Sequence, residues 1–145
     1  MLELSLVMVK PHAFDTKKLG IIVSMLEQNG FKIVGLKSIK LTNELARRFY
    51  FVHEDKEFFE RLIEYMSSGT IAAICVQKDN CVVDLRKLIG NTDPTKAEVG
   101  TIRRTVGETV SQNGVHASDC IENAKKEIRF FFSDIELYSY QYLDY

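Results

Sequence analysis

The sequence has no excess charge of either sign: 19 basic residues stand against 20 acidic ones, a formal net charge of -1. No global field therefore draws the chain onto nucleic acid or an anionic membrane, and any bound anion must be held by a local cluster. Cysteine is scarce and odd in number. Cys75, Cys81 and Cys120 leave one thiol over in any pairing and show no CxxC spacing. That speaks against a disulfide framework and against a zinc site, so reduced thiols in a cytoplasmic protein are expected. Long apolar runs are missing too. Met1 to Val9 is too short for a membrane span and has no basic region ahead of it, and no other run approaches the roughly 20 residues a bilayer requires. No internal repeat or linker is visible.

What is present is the composition of an ordinary soluble globular protein, 46% hydrophobic, 10% aromatic and 27% charged, rather than a disordered or fibrous one. A chain of 145 residues suits one domain spanning 1–145, with 133–145 as a C-terminal tail. A core of that size buries roughly two-thirds of the unfolded surface without disulfides.

Apolar patterning divides the chain. Residues 2 to 9 carry Leu2, Leu4, Leu6 and Met8 on one face with Val7 and Val9 on the other, as in a strand covered on both sides. Leu19, Ile22, Val23 and Leu26 repeat at helix spacing, and Asn29-Gly30 is a stop signal. Phe31 to Ile39 reads as a second strand. Thr42 suits the N-cap of a helix running to about residue 52, and Lys56 to Met66 reads as another helix. Ile71 to Val76 has strand length, and Asp79 is placed to cap a helix bearing Val82, Val83, Leu85 and Leu88 that ends at Gly90.

From Gly90 to about Gly114 the periodicity fails over a segment longer than most loops, which favours an ordered functional loop. Within it, Thr105-Val106-Gly107-Glu108 has the form of a capping box. A short strand at 114 to 117 follows, then a helix, with Asp119 as its cap, whose Ile121, Ala124, Ile128 and Phe131 form a core stripe while Glu122, Lys126 and Arg129 point away. The tail carries four tyrosines and is expected along a surface or a subunit contact. The order of elements implies an α/β sandwich, an antiparallel sheet with helices on its faces.

The loop region concentrates Arg86, Thr92, Thr101, Arg103 and Arg104. Guanidinium forks and hydroxyls suit phosphate oxygens, although solvated loop charges are an equally compatible reading. His116 stands between the short strand and the last helix, where a lone histidine is usually structural. Glu127 lies roughly 60 to 70° from the centre of the core stripe, at about 100° per residue. There it either holds one ring nitrogen of His116, freeing the other as a nucleophile, or is a surface glutamate at a helix edge. Lys10-Pro11 ends the first strand, where the lysine can reach a ligand, although many strands end in lysine. Tyr50 and His53 are three apart on one face. Phe58 and Phe59 are adjacent and cannot share a core, so one stacks on a planar ligand or lies partly exposed.

Together these residues resemble the nucleoside diphosphate kinase family over about residues 3 to 132. The resemblance rests on Asn113-Gly114-Val115-His116-Ala117-Ser118-Asp119, on Gly90-Asn91-Thr92-Asp93-Pro94, on Gly100-Thr101-Ile102-Arg103, on Val9-Lys10-Pro11 and on Glu127. It implies a ferredoxin-like α+β sandwich with a four-stranded antiparallel sheet, a ping-pong phosphotransferase acting on nucleoside di- and triphosphates, and a hexamer or tetramer. Mg2+ would be held mainly by the nucleotide phosphates, with no dedicated protein metal site. His116 would be the nucleophile, oriented by Glu127 and Ser118, with Tyr50 hydrogen-bonding nearby. Lys10 and Asn113 would contact the sugar hydroxyl and phosphates. His53, Arg86, Thr92 and Arg103 would hold phosphates, and Phe58 and Val110 would sandwich the base without reading its edge.

Four places depart from the family pattern. Arg104-Thr105 replace a small residue and Asp, His12 replaces an acidic residue, Thr70 replaces a proline, and Val99 stands where proline is frequent. None removes a group that the resemblance makes catalytic. A nucleotide-binding interaction protein is the competing reading; the complete set of polar site residues favours an enzyme. Nucleic-acid binding is disfavoured by the charge balance and the lack of a basic stripe.

Overall fold

The structure, a computed structural model, describes residues 2–137. The four tail tyrosines, and with them the expectation of a surface or subunit contact, lie outside the described residues.

Four strands form one antiparallel sheet. They are β1 (Leu2–Val9), β2 (Lys32–Lys40), β3 (Thr70–Asp79) and β4 (Val115–Ala117), in the order β2-β3-β1-β4. The two central strands explain their own apolar runs, since β1 is buried from Leu4 to Val9 and β3 from Ile71 to Val76. β3 runs three residues past the expected Val76 because Gln77, Lys78 and Asp79 pair with Leu4, Glu3 and Leu2 at the sheet's end.

Alternation along β1 supplies two cores. Leu4, Leu6 and Met8 join one cluster with Ala73, Cys75, Ala46, Ile63, Ile128 and Phe131. Those residues come from β3 and from α3 (Asn43–Phe49), α4 (Phe59–Met66) and α7 (Ile121–Phe131). Val7 and Val9 join the opposite cluster with Ala72, Ile74, Ala13, Ile22, Leu85 and Ile102. Its helices are α1 (Pro11–Asp15), α2 (Leu19–Gln28), α5 (Cys81–Ile89) and α6 (Ile102–Val106). A short α8 (Asp134–Leu137) adds buried Leu137 to the first cluster. Each fully buried leucine or isoleucine contributes about 1.5–3 kcal/mol.

Several local expectations are corrected. α1 gave no periodic signal because it has only five residues and starts on Pro11, whose fixed φ suits a first helical turn. The helix capped by Thr42 stops at Phe49 and passes into a tight 3₁₀ turn at Phe51–His53, and α4 begins at Phe59 rather than Lys56. α5 is not capped by Asp79. Asn80 takes the N-cap position at φ 56, and the Glu3 carboxylate, 79 residues away, accepts from Val82 N–H at 3.2 Å.

The Thr105–Glu108 capping box does not form. α6 starts a turn earlier, where the Thr101 hydroxyl accepts from Arg104 N–H at 3.3 Å, and Thr105 donates its hydroxyl to Thr101 O at 2.9 Å. Cys120 rather than Asp119 caps α7, its Sγ accepting from Asn123 N–H, while Asp119 accepts from the Asn123 side chain. Ile121, the first residue of α7, is 43% exposed and so leaves the expected core stripe. Arg104, one of the departures, donates to Ala97 O at 3.1 Å and so stitches the loop to itself.

Candidate active site

Sheet register aims His116. It pairs with Met8, while Val115 and Ala117 pair with Val9 and Val7. Directly opposed side chains share a face, so His116 lies on the Met8 face, toward α7 and α3, and its two neighbours enter the other core. A slip of one residue would bury the imidazole and expose the valine.

On α7, Glu127 sits one residue before buried Ile128 and reaches back to β4. His116 Nε2 meets Glu127 Oε1 at 2.8 Å, and Ser118 Oγ donates to the same oxygen at 2.8 Å. An ionised carboxylate only accepts, so Nε2 carries the proton and Nδ1 presents a lone pair. Among the described residues Nδ1 takes no hydrogen bond. The imidazole side chain is 24% exposed and that of Glu127 18%, which leaves room for an approach to Nδ1.

Two rings stand perpendicular to the imidazole. Phe49 lies 5.5 Å away at 77° and Tyr50 6.3 Å away at 84°. Phe49 had not been singled out from the sequence, although its position beside Tyr50 at the end of α3 was a usable signal. The Tyr50 hydroxyl is buried without a hydrogen-bond partner. Burial, then the charge of Glu127 and the neighbouring Tyr65, push its pKa up, so the phenol keeps its proton. From Tyr50 the rings continue to His53 at 6.5 Å and from there to Phe58 at 5.8 Å. Of the adjacent phenylalanines, Phe59 is buried and Phe58 is 42% exposed.

A group of cations forms around β4. Lys10, at the end of β1, donates through Nζ to Asn113 Oδ1 at 2.8 Å, and the Asn113 amide donates to Thr92 O at 3.2 Å. The Arg103 guanidinium donates to Gly90 O at 3.2 Å and to Val115 O at 3.0 Å, and Arg86 donates to Ala117 O at 3.4 Å. Gly90 carries φ +89, and a Cβ there would meet Thr101 at 2.7 Å, so only glycine lets the loop close over α6.

None of these cations is hydrogen-bonded to a carboxylate among the described residues. Burial and then the nearby Arg103 charge lower the Lys10 pKa to about 8. Burial and then Arg86 lower that of Arg103 to about 10. The Arg103 Nε is buried and unpartnered. Asp119 lies within the field of Arg86, but three like charges gathered in one place remain costly unless a bound anion supplies the balance.

The structure thus brings Lys10, Asn113 and Thr92 together by hydrogen bonds, Arg86 and Arg103 by charge proximity, and His116, Ser118, Glu127 and Tyr50 in one cluster. The Thr92 hydroxyl is exposed, and only its carbonyl is engaged. Val110 is 55% exposed on a turn and makes no bond to the rest of the cluster. Among the described residues no group of three or more His, Cys, Asp or Glu side chains is arranged to hold a metal ion. No helix there is long and apolar enough to cross a membrane.

A family model described as nucleoside diphosphate kinase matches residues 3–137. The chain is similar to a protein of that name from Persephonella marina, 44% identical over 135 residues, covering 93% of this chain and 96% of that one. It is similar also to one from Geobacter sp. strain M21, 41% identical over 136 residues, covering 94% and 99%. Among solved structures, a nucleoside diphosphate kinase from Aquifex aeolicus superposes with a TM-score of 0.92 at 38% identity, covering 94% and 99% of the two chains. A halophilic one from Halobacterium salinarum, in complex with CDP, gives 0.89 at 37% identity and covers 94% and 91%.

Proposed function

The chain belongs to the nucleoside diphosphate kinase family, and from that premise we propose that it passes the phosphate through Nδ1 of His116. The protein is a nucleoside diphosphate kinase with the ferredoxin-like fold, a phosphotransferase of nucleotide metabolism that acts on nucleoside di- and triphosphates in ping-pong fashion. The observation that carries the residue assignment is the shared Glu127 oxygen. By taking Nε2–H it fixes the tautomer and anchors one corner of the ring, and the Ser118 hydroxyl on the same oxygen holds the carboxylate in place.

The Nδ1 lone pair attacks the γ-phosphorus in line. The bond from that phosphorus to the β-bridging oxygen breaks, and the electron pair leaves on the nucleoside diphosphate. The second substrate's terminal phosphate oxygen then attacks the phosphohistidine and the N–P bond returns its pair to Nδ1. Such a transfer needs position and positive charge more than acid or base work. Lys10, Arg86 and Arg103 supply the charge, with the buried Arg103 Nε a donor lacking an acceptor. His53 and the Thr92 hydroxyl add contacts to phosphates, and the buried, unpartnered Tyr50 hydroxyl, within the field of Glu127, is a further donor nearby. Asn113 and Lys10 bridge phosphate and sugar hydroxyl, and exposed Phe58 and Val110 flank the base. Mg2+ enters with the nucleotide as part of the substrate and is held by phosphate oxygens.

Incubation with labelled ATP and magnesium is expected to leave an acid-labile, base-stable phosphate on the protein that added GDP removes. Label that persists in His116→Ala, or never forms in the unaltered chain, sinks the assignment.

The described residues read as one domain, because β1 and β3 serve both cores. Three free thiols fit the cytoplasm. We read the assembly as a homo-oligomer joined along β2, a nine-residue edge strand whose Leu36 is 49% exposed. An edge strand with an exposed apolar side chain is a template for pairing with a second copy. Light scattering on Leu36→Glu should report smaller particles; an unchanged mass would place the contact elsewhere.

A further inference from the structure

We infer that His12 and Glu108 are a positioning pair that fixes the turn bearing Val110 and thereby sets nucleotide affinity. The inference rests on reading Val110 as one wall of the base site.

The turn 108–112 is closed internally. Glu108 N–H donates to Gln112 O at 2.9 Å, Thr109 N–H to the same carbonyl at 3.4 Å, and Gln112 N–H to Thr109 Oγ1 at 3.0 Å. These bonds shape the turn without placing it. Among the described residues one hydrogen bond ties its five residues to another part of the chain, from His12 Nε2 to Glu108 Oε2 at 2.8 Å across 96 positions.

The histidine end of that bond is itself fixed. His12 follows Pro11 on α1, its backbone N–H donates to the Tyr65 hydroxyl at 3.2 Å, and its carbonyl accepts from Thr16 N–H at 2.9 Å. Tyr65, Asp15 and Lys17 line the same cleft as His12 and Gln112. Just beyond the turn, Lys10 N–H donates to Gly114 O at 2.9 Å and its Nζ holds Asn113. The β1–α1 corner therefore grips the end of the long loop at two places, once at the phosphate-facing Asn113 and once at the stem of the Val110 turn. Loss of the outer grip leaves the cation cluster and His116 untouched and frees only the turn. A pair 31% and 60% exposed at its two side chains adds little to folding stability, so its consequence is local.

The test uses the full chain with His12→Ala, Glu108→Ala, the double variant and Val110→Ala, measured by steady-state kinetics, ADP binding and thermal melting. Each single variant of the pair should raise KM and the ADP dissociation constant about threefold to fivefold, the span of a partly exposed pair, with kcat within about twofold. The double variant should do no worse than either single, as expected of two groups acting through one bond. His12→Gln, which keeps a donor, should recover most of the affinity. If Val110→Ala weakens binding while both single variants leave it unchanged, the pair has no positioning role and the inference falls. If Val110→Ala is silent as well, the base-wall reading fails first and the inference with it. A lowered melting temperature with kcat and KM moving together would mark a purely structural contact and overturn the proposal.

Discussion

The two sides of the site are held by different kinds of chemistry. On the nucleophile side, β4 and α7 hold His116, Ser118 and Glu127 by sheet register and helix packing, and side chain meets side chain at 2.8 Å. On the phosphate side, Arg103 and Arg86 are held by backbone carbonyls of Gly90, Val115 and Ala117, and Lys10 by an asparagine. The first side satisfies its own hydrogen bonds and would stay put without substrate. The second carries an excess of positive charge, offset in part by Asp119 near Arg86, that a bound anion completes. Direction is therefore preorganised by side chain on side chain, and excess charge is held on element ends and helices by backbone carbonyls and an asparagine, where binding must be favourable and reversible.

The comparison breaks most sharply at Glu127. Glu127→Gln keeps the shape but offers the imidazole an amide that can donate. An N–H pointed at Nε2 moves the ring proton to Nδ1 and removes the nucleophilic lone pair. Turnover is expected to fall by about 10³-fold or more, as wrong-tautomer substitutions do elsewhere, with KM little changed because the cation side is intact. Stopped-flow measurement of the first phosphoryl transfer decides it. A loss of affinity equal to the loss of turnover would show that the two sides are not separable.

The same division governs what could be read in advance. β1, β3 and the faces of α2 and α7 were legible because burial imposes a period. Glu127 at a helix-core boundary left two readings open, a hold on His116 or a surface glutamate, and the 2.8 Å contact to His116 answers to the first. The loop was not legible, because its bonds run from side chains to carbonyls and carbonyls leave no trace in the sequence. The Thr105–Glu108 box looked sound yet lost to Thr101, since starting α6 a turn earlier buries Ile102 and Arg103. Glu108 was instead recruited by His12. Capping of α5 by Glu3 was equally hidden, being a contact across 79 positions.

Lys10 sharpens the comparison through pH. With its pKa lowered from 10.5 to about 8, the free enzyme loses this charge as pH rises through about 8. kcat/KM for the nucleotide should therefore fall above pH 8, at most tenfold per unit, while kcat falls later because bound phosphate favours the charged lysine. Folding stability moves the opposite way. Between pH 8 and 10.5 the unfolded chain holds the proton that the folded one has released, so stability of the nucleotide-free protein attributable to Lys10 rises with pH across that window and is flat on either side. Lys10→Gln should flatten both trends. A kcat/KM profile with no inflection near 8 in the unaltered enzyme would show that the lysine does not meet the nucleotide.

Phe49 carries the smallest of these effects and tests whether the nucleophile side is as rigid as its hydrogen bonds suggest. A single bond at Nε2 fixes one corner of the imidazole and leaves Nδ1 free to swing about the N···O axis. Phe49 and Tyr50, both nearly perpendicular to the ring, limit that swing. Phe49 is in turn braced by Phe130 at 5.3 Å and Phe131 at 5.4 Å. Edge contacts of this type are worth about 0.5–1.5 kcal/mol, so Phe49→Leu should lower kcat about threefold at saturating nucleotide and leave KM alone, and Phe49→Tyr should preserve kcat. A lowered melting temperature at full kcat would reduce Phe49 to packing and assign the whole restraint on the ring to Glu127 and Tyr50.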